Sequence, residues 1–144
     1  MKTKILATTG AVLLSIVAAG ECRAQARALE VNVPFAFEIG NKALPAGGYR
    51  VESVPTGAGS IEILHSNQGD VRLPISTTAT NSIKGTRASA LIFHRYGNRY
   101  FLAQIRTGDG HAREVAPSRQ ERELAHSEPR IEVAVANQLP VGKQ

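Results

Sequence analysis

The sequence predicts an all-β fold, a sandwich or open barrel of about seven strands with one short C-terminal helix. Apolar and polar residues alternate with a period of two in several short stretches, and Gly, Pro and Asn separate these stretches at short intervals. Only the stretch after Pro117 carries a helix start signal. The chain has 144 residues, of which 42% are hydrophobic. That is the length of one domain, with enough apolar side chains for a packed core.

Residues 1–26 are typical of a secretory signal peptide. Lys2 and Lys4 precede a mostly apolar run over residues 5–19, and Ala24-Gln25-Ala26 has the A-x-A pattern of a cleavage site. The run is shorter than the ~18 uninterrupted apolar residues of a membrane span. We therefore expect cleavage after Ala26, export to the periplasm or the outside of the cell, and no membrane span in the mature form.

Removal of this segment changes what the composition implies about partners. It takes away three of the 17 basic residues, one of the 12 acidic residues and Cys22, the single cysteine. The formal net charge falls from +5 to +3, so the basic balance is no argument for nucleic-acid binding, and no nucleic-acid partner is expected. The mature chain has no thiol for catalysis, a disulfide or zinc. We expect a single β-rich domain over residues 27–137 and a flexible tail over 138–144.

The clearest strand signal lies at the start of the mature chain. An alternation over eleven positions predicts one strand with its apolar side at Leu29, Val31, Val33, Phe35, Phe37 and Ile39. Pro34 has no N–H group to donate, so we expect this strand at a sheet edge or with a bulge at the proline.

Three further strands follow, separated by turns at residues 40–41, 45–48 and 67–70. Their apolar residues are Tyr49, Val51 and Val54 in the first, Ile61, Ile63 and Leu64 in the second, and Val71, Leu73 and Ile75 in the third. Residues 77–87 are small and polar, which indicates a loop.

A β-hairpin is predicted over residues 88–106. Gly97-Asn98 is a two-residue turn signal of type I′ or II′. In the resulting register, the facing pairs are Tyr96 and Arg99, Arg95 and Tyr100, His94 and Phe101, and Phe93 and Leu102. One face then carries Ile92, Phe101, Ala103 and Ile105, and the other carries Leu91, Phe93, Tyr100 and Leu102. Because both faces are apolar, we expect the hairpin to be central and covered on both sides.

A capping box predicts the late helix. Ser118 follows Pro117, and Glu121 stands three residues further on, which favours a helix through about His126. Leu124 and Ala125 are its apolar contacts and make it a candidate lid for one face of the hairpin. An alternation over residues 131–136 predicts the last strand.

Charges of alternating sign lie in this helix and just before it. They belong to Arg113, Glu114, Arg119, Glu121, Arg122 and Glu123. Such alternation is typical of a solvated helix with local ion pairs, so we do not expect a basic patch or a catalytic acid–base pair here.

Three stretches of the mature chain stand out together. They are Val33-Pro34-Phe35-Ala36-Phe37 leading to residues 44–51, then the segment from Phe93 to Leu102, and then the segment from Ser118 to Leu124. Together they resemble a family of small exported bacterial β-rich proteins of unassigned function. The resemblance implies export and a β fold, and it carries no catalytic residue to this chain.

The histidines lack the spacing of a metal site. They are His65, His94, His111 and His126, and no two of them stand in an H-x-H or H-x-x-x-H pattern. The glycine-rich segment Thr107–His111 lacks the lysine of a P-loop and the repeated acids of an EF-hand, so we interpret it as a connection between a strand and the helix. We expect neither a metal nor a cofactor.

The most suggestive cluster surrounds the hairpin turn and consists of His94, Arg95, Tyr96, Arg99 and Tyr100. As a binding tip, it would suit a polyanion, a sugar or a partner protein, because interfaces and stacking platforms are rich in Arg and Tyr. As a structural feature, it would place Arg95 on Tyr100 and Arg99 on Tyr96, which holds the turn in register.

These observations favour an exported, non-enzymatic β domain that binds or structures an unknown partner in the cell envelope or outside the cell. Two alternatives remain open. One is an assembly subunit that exchanges its N-terminal strand with a neighbour, and the other is a small hydrolase that uses His94 or His111 with a nearby carboxylate. The oligomeric state does not follow from the sequence.

Overall fold

Two packed β-sheets form the part of the chain that the structure describes, which is an all-β sandwich with one short helix. The computed structural model describes residues 28–57, 59–69, 71–81 and 88–137, so the signal peptide and the C-terminal tail that the sequence predicts lie outside the described residues. The elements are β1 (Leu29–Val33), β2 (Phe37–Ile39), β3 (Lys42–Leu44), β4 (Gly47–Thr56), β5 (Gly59–Ser66), β6 (Arg72–Ile75), β7 (Thr77–Asn81), β8 (Ala90–Tyr96), β9 (Arg99–Arg106), β10 (His111–Val115), α1 (Arg119–Ser127) and β11 (Ile131–Ala136).

The two sheets are not closed into a barrel, which selects the sandwich from the two predicted architectures. Sheet A has the strand order β1-β4-β5-β6, and sheet B has the order β11-β8-β9-β10-β7. In sheet B, β2 lies beside β9 through a parallel pairing of Glu38 with Phe101, and β3 pairs with β2.

The predicted first strand is in fact two strands in different sheets. β1 pairs with β4 of the same chain at the edge of sheet A, whereas β2 belongs to sheet B. The prediction of one continuous strand was wrong because the backbone leaves sheet A at Pro34, which cannot donate to a ladder. The alternation of side chains continues through the break, so Val33 and Phe37 are both buried.

The described residues contain eleven strands, more than the predicted seven or so. The additional strands β3, β7 and β10 have three to five residues each. β3 lies between two predicted turns, β7 lies in the predicted loop, and β10 begins at the end of the predicted connection. Strands so short and polar have no detectable periodicity. Thr107–Gly110 is therefore the turn between β9 and β10 and does not connect a strand to the helix.

The central hairpin has the predicted register, with Tyr96 opposite Arg99 and Phe93 opposite Leu102. Gly97 has a positive φ of 57°, and no described non-glycine residue has a positive φ, which selects the type II′ turn. The register shifts by one residue between Ile92 and Phe93. This bulge moves Ile105 into the core, so its predicted place beside Phe101 was wrong.

The core lies between the inner faces of the two sheets. Its buried members are Leu29, Val31, Val33, Phe37, Ile39, Leu44, Tyr49, Val51, Leu64, Ile75, Leu91, Phe93, Leu102, Ile105 and Val115. Phe37 makes edge-to-face contacts with both Tyr49 and Phe93, at ring-centroid distances of 5.1 Å and 5.2 Å. Such contacts add directional attraction to the burial of apolar surface.

A buried ion pair joins the two sheets at one end of the core. In β5, Glu62 points inward, and Ile61 and Ile63 lie on the outer face of sheet A. Arg113 Nε on β10 lies 3.1 Å from Glu62 Oε1, and Ser53 Oγ donates to the same oxygen at 3.0 Å. These partners offset the cost of burying the Glu62 carboxylate.

Helix α1 lies over the outer face of the β8–β9 hairpin. Ser118 Oγ accepts a hydrogen bond from the Glu121 N–H at 3.1 Å, so the predicted N-terminal cap is confirmed. At the C-terminal end of the helix, the Glu128 N–H donates a hydrogen bond to the Leu124 carbonyl at 2.8 Å. In the part of the chain that the structure describes, no helix is long and apolar enough to span a membrane.

Candidate functional site

The five residues predicted as a binding tip are divided between the two faces of the hairpin. Arg95 and Tyr100 face each other on the side of sheet A, and His94, Tyr96 and Arg99 lie on the side of α1. The division follows from the alternation of side chains along a strand. The structure therefore forms two separate clusters around the turn.

The inner cluster is an aromatic stack. The guanidinium carbon of Arg95 lies 5.7 Å from the centroid of the Tyr100 ring, as the structural interpretation predicted, and Arg95 Nε donates to the Gly97 carbonyl at 2.8 Å. Phe35 stacks on Tyr100 with a centroid distance of 3.8 Å and an interplanar angle of 14°. Both Arg95 and Tyr100 thus have partners within the chain, and these contacts give each residue a structural role without a ligand.

Arg99 has different partners from the one predicted. Its guanidinium lies 5.1 Å from the centroid of Phe101 instead of on Tyr96. Its Nε and Nη2 donate to the two carboxylate oxygens of Glu38 at 2.8 Å and 2.7 Å, and Nη2 also donates to Gln120 Oε1 at 2.7 Å. Arg99 therefore connects β2, β9 and α1, which the local register could not predict.

A histidine–carboxylate pair lies between the hairpin and the helix. His94 Nδ1 is 3.0 Å from Glu121 Oε1, and the side chains are 21% and 5% exposed. The prediction that Glu121 belongs to a solvated face was wrong, because α1 turns this residue toward the sheet. On the exposed side, Arg119 and Glu123 do form the expected ion pair, at 2.9 Å.

A cleft of about 200 Å³ opens beside this pair, between α1 and the outer face of sheet B. Its lining consists of His94, Tyr96, Ala103, Glu114, Val115, Pro117, Glu121, Arg122, Ala125 and Arg130. Burial raises the pKa of Tyr96 above 10.0, the negative charge of Glu121 raises it further, and the positive charge of Arg130 lowers it. Tyr96 therefore remains protonated at neutral pH and can donate a hydrogen bond there.

The charged groups of the cleft differ in how they are paired. Glu121 is in contact with His94, whereas no carboxylate of the described residues lies within ion-pair distance of Arg122 or Arg130. Glu114 adds one further carboxylate to the lining. Arginine side chains are donors that suit an anionic group, so Arg122 and Arg130 make this lining a candidate anion site.

Glu62 and Glu121 are the two buried charged residues of the described chain, and only the second borders this cleft. Glu62 is held by the permanently charged Arg113, in a network that contributes to packing of the sheets. Sequence reasoning singled out neither carboxylate as a site. The capping box singled out Glu121 in the sequence, but it predicts only the hydrogen bond of its backbone N–H group. It does not predict where its side chain lies.

The remaining histidines do not form a second site. His65 Nε2 lies 3.6 Å from Glu52 Oε2 on the outer face of sheet A, which is an ion-pair distance but too long for a hydrogen bond. His111 and His126 are exposed, at the start of β10 and in the last turn of α1. Among the described residues, no group of three or more His, Cys, Asp or Glu side chains is placed to hold a metal ion.

The cleft is assembled from separate parts of the chain. His94 and Tyr96 come from β8, Val115 from β10, and Glu121 and Arg130 from α1 and the segment after it. No short motif contains these residues together, so the site can be recognised only from the fold.

Comparison of the chain with protein-family models, with curated proteins and with solved structures finds no match.

Proposed function

We propose that this chain is an exported, non-enzymatic β-sandwich domain that binds a small organic acid in the cleft under α1. One observation carries the proposal: the cleft is lined by two arginines, Arg122 and Arg130, which have no carboxylate partner among the described residues, together with the apolar residues Ala103 and Ala125. The signal peptide predicted from residues 1–26 supports a place of action in the cell envelope or outside the cell. The resemblance to small exported β-rich proteins supports the same location.

The lining indicates the class of ligand. Arg122 and Arg130 supply donors that suit a carboxylate, since guanidinium can bind both of its oxygens. Ala103 and Ala125 offer a small apolar surface for the rest of the molecule. Pockets for drug-sized ligands have volumes of about 300–1,000 Å³, and the volume of about 200 Å³ here favours a short monocarboxylate.

The polar wall supports recognition of the same ligand. His94 uses Nδ1 for its contact with Glu121, so Nε2 does not take part in that contact. The buried phenol of Tyr96 is protonated at neutral pH and is a hydrogen-bond donor. The Glu121 carboxylate repels an anion, and its contact with His94 reduces this repulsion.

The test is an NMR titration of the exported protein with sodium isobutyrate and, separately, with its neutral isostere isobutyramide. Isobutyrate should give saturable shifts of the amides around Tyr96 and Ala125, and isobutyramide should bind at least about tenfold more weakly, because it lacks the charge. Equal binding of the two compounds, or no saturable shift with isobutyrate, would contradict the proposal.

A matched pair of variants locates the binding site. Arg130→Gln should weaken isobutyrate binding by about tenfold or more, since it removes a charged donor from the cleft. Arg95→Gln removes the same charge from the other face of the hairpin and should leave binding unchanged. Equal weakening by both variants would mean that the anion responds to the overall charge and not to the cleft.

An acid–base catalyst is the second candidate, and the His94–Glu121 contact favours it. A carboxylate that orients an imidazole is the arrangement of a general base. The cleft lining contains no Ser, Thr or Cys, so a hydrolase here would have to activate water directly, and His111 does not line the cleft. Hydrolysis of p-nitrophenyl isobutyrate that is lost in Glu121→Gln would favour this candidate, and a rate no higher than that of free imidazole would count against it.

A further inference from the structure

The outer edge of β11 differs from the other sheet edges of the described chain. Most of these edges carry a feature that hinders pairing with another strand: β1 leads into Pro34, β3 leads into Pro45, and β6 contains Pro74. The β7 edge has no apolar side chain larger than that of Ala79. β11, Ile131–Ala136, contains neither proline nor lysine, and its large apolar side chains alternate with Glu132, Ala134 and Ala136.

The hydrogen-bonding direction of β11 follows from one contact at its end. The Asn137 N–H donates to the Ser89 carbonyl at 2.9 Å, which continues the antiparallel ladder between β11 and β8. In such a ladder, successive residues point their N–H and C=O groups alternately toward the neighbour and away from it. The backbone groups of Glu132, Ala134 and Ala136 therefore point away from β8, to the edge of the sheet.

The core is incompletely covered along the same edge. Val133 and Val135 pack against the core but are only partly buried, and Ile131 is 51% exposed. These three side chains lie on the inner face of sheet B, where a further strand would cover them. Among the described residues, no strand pairs with this side of β11, so the edge offers both unpaired backbone hydrogen-bonding groups and apolar surface.

We propose that β11 pairs antiparallel with β11 of a second copy of the chain, about a two-fold axis at Ala134. In this register, Ala134 lies opposite its own copy, Glu132 lies opposite Ala136, and Val133 lies opposite Val135. Each outward-pointing backbone group finds a partner, and each inner-face side chain meets another inner-face side chain, as a self-complementary interface requires. The two copies of sheet B become one continuous sheet.

Charge is compatible with this register. Glu132 would otherwise protect the edge, but it does not face its own copy, and within its own chain it lies 3.6 Å from Arg106. The alternative axis at Val133 pairs fewer of the outward-pointing backbone groups. Because β1 remains paired with β4, this assembly needs no exchange of the N-terminal strand.

Two lysine substitutions on the exposed face of β11 test the register, with association measured by sedimentation velocity on the exported protein over a concentration series. We expect the unchanged protein to dimerise. Ala134→Lys places like charges opposite each other and should weaken the dimer by about tenfold or more, with partial recovery at high salt. Ala136→Lys faces Glu132 of the second copy, so dimerisation should be retained or strengthened.

A proline substitution tests the backbone contacts. Ala134→Pro removes an N–H that β8 does not use, so the monomer should keep its thermal midpoint while dimerisation weakens by about tenfold or more. Ala134→Ser keeps the N–H group and should still dimerise. The proposal would be overturned if the unchanged protein is monomeric at its highest soluble concentration. It would also be overturned if Ala134→Lys and Ala136→Lys change dimerisation equally. If Ala134→Pro does not fold, the comparison of the two lysine variants is the test.

Discussion

The two faces of the β8–β9 hairpin bury their phenylalanines equally well, but with different kinds of side chain. On the inner face, Phe93 is fully buried by apolar side chains of both sheets. On the outer face, Phe101 is 1% exposed, and its cover includes the guanidinium of Arg99 and the polar contacts of α1. Coverage on both sides was predicted from the apolar pattern of the hairpin, but the nature of the outer cover was not.

This difference explains why the candidate site lies on the outer face. Apolar side chains that interdigitate leave little room for a ligand and no charge to recognise one. Helix α1 is held to the sheet by the contacts of Glu121 with His94 and of Gln120 with Arg99. A cleft remains beside it, and charged residues line this cleft. The layer that contributes less to the core is therefore the layer that can bind a ligand.

The largest expected effect on stability comes from replacing the buried phenylalanine of each hairpin face with alanine. Phe93→Ala should lower the free energy of unfolding by about 3–5 kcal/mol, because Phe93 contacts Phe35 and Phe37 in a rigid core. Phe101→Ala should cost about 3 kcal/mol, at the low end of the same range, because the side chain of Arg99 can move over the cavity. Urea denaturation measures both, and a greater loss in Phe101→Ala would reverse the comparison.

The next effect concerns the contact that holds the helix. Glu121→Gln should lower the free energy of unfolding by about 1–2 kcal/mol, since it removes a charged partner from half-buried His94. It should also accelerate amide hydrogen exchange in α1 while leaving exchange in β8 unchanged. Glu123→Gln, on the exposed side of the same helix, should change the free energy by less than about 0.5 kcal/mol. Similar losses in the two variants would mean that the His94 contact does not hold the helix.

The two arginines of the hairpin turn sharpen the comparison further. Arg99→Gln should cost about 1 kcal/mol, because Arg99 joins Glu38 and Gln120 at a site that is 40% open to solvent. Arg95→Gln should cost about 0.5 kcal/mol, the value of an exposed contact between a cation and an aromatic ring. Thermal denaturation of both variants measures the difference, and a larger loss in Arg95→Gln would place the stabilising cluster on the inner face.

The smallest effect appears only at high pH. Burial raises the pKa of both Tyr49 and Tyr96 above 10.0, and the charges of Glu121 and Arg130 act on Tyr96 alone. Since the folded chain keeps phenol protons that the unfolded chain releases, the stability due to these groups is complete below pH 10 and is lost as the pH rises above it.

Glu121→Gln distinguishes the two tyrosines. It should lower the pKa of Tyr96 and leave that of Tyr49 unchanged, because the Glu121 charge contributes only to the first. Ultraviolet absorbance of the phenolates, measured in a Tyr100→Phe background, follows both titrations. A change in the pKa of both tyrosines, or of neither, would contradict the contribution of the Glu121 charge to the pKa of Tyr96.

Local features of the sequence were sufficient for the hairpin and the helix cap. The facing pairs from Tyr96 to Leu102 follow from the two-residue turn at Gly97-Asn98 and the period of two, which depend on near neighbours alone. The Ser118 cap likewise concerns residues three positions apart. The alternative of types I′ and II′ was left open by the sequence and is resolved by the dihedral angles.

Contacts between distant segments were decided by the tertiary structure alone. The Glu121–His94 pair spans 27 positions and the Arg113–Glu62 pair joins two sheets, so neither leaves a periodic signal in the sequence. The same holds for the bulge that moves Ile105 into the core, since one extra residue in a strand reverses the side chains beyond it. A sequence pattern specifies which residues prefer burial, but packing specifies the partner of each buried charge, and at Glu121 that partner borders the cleft.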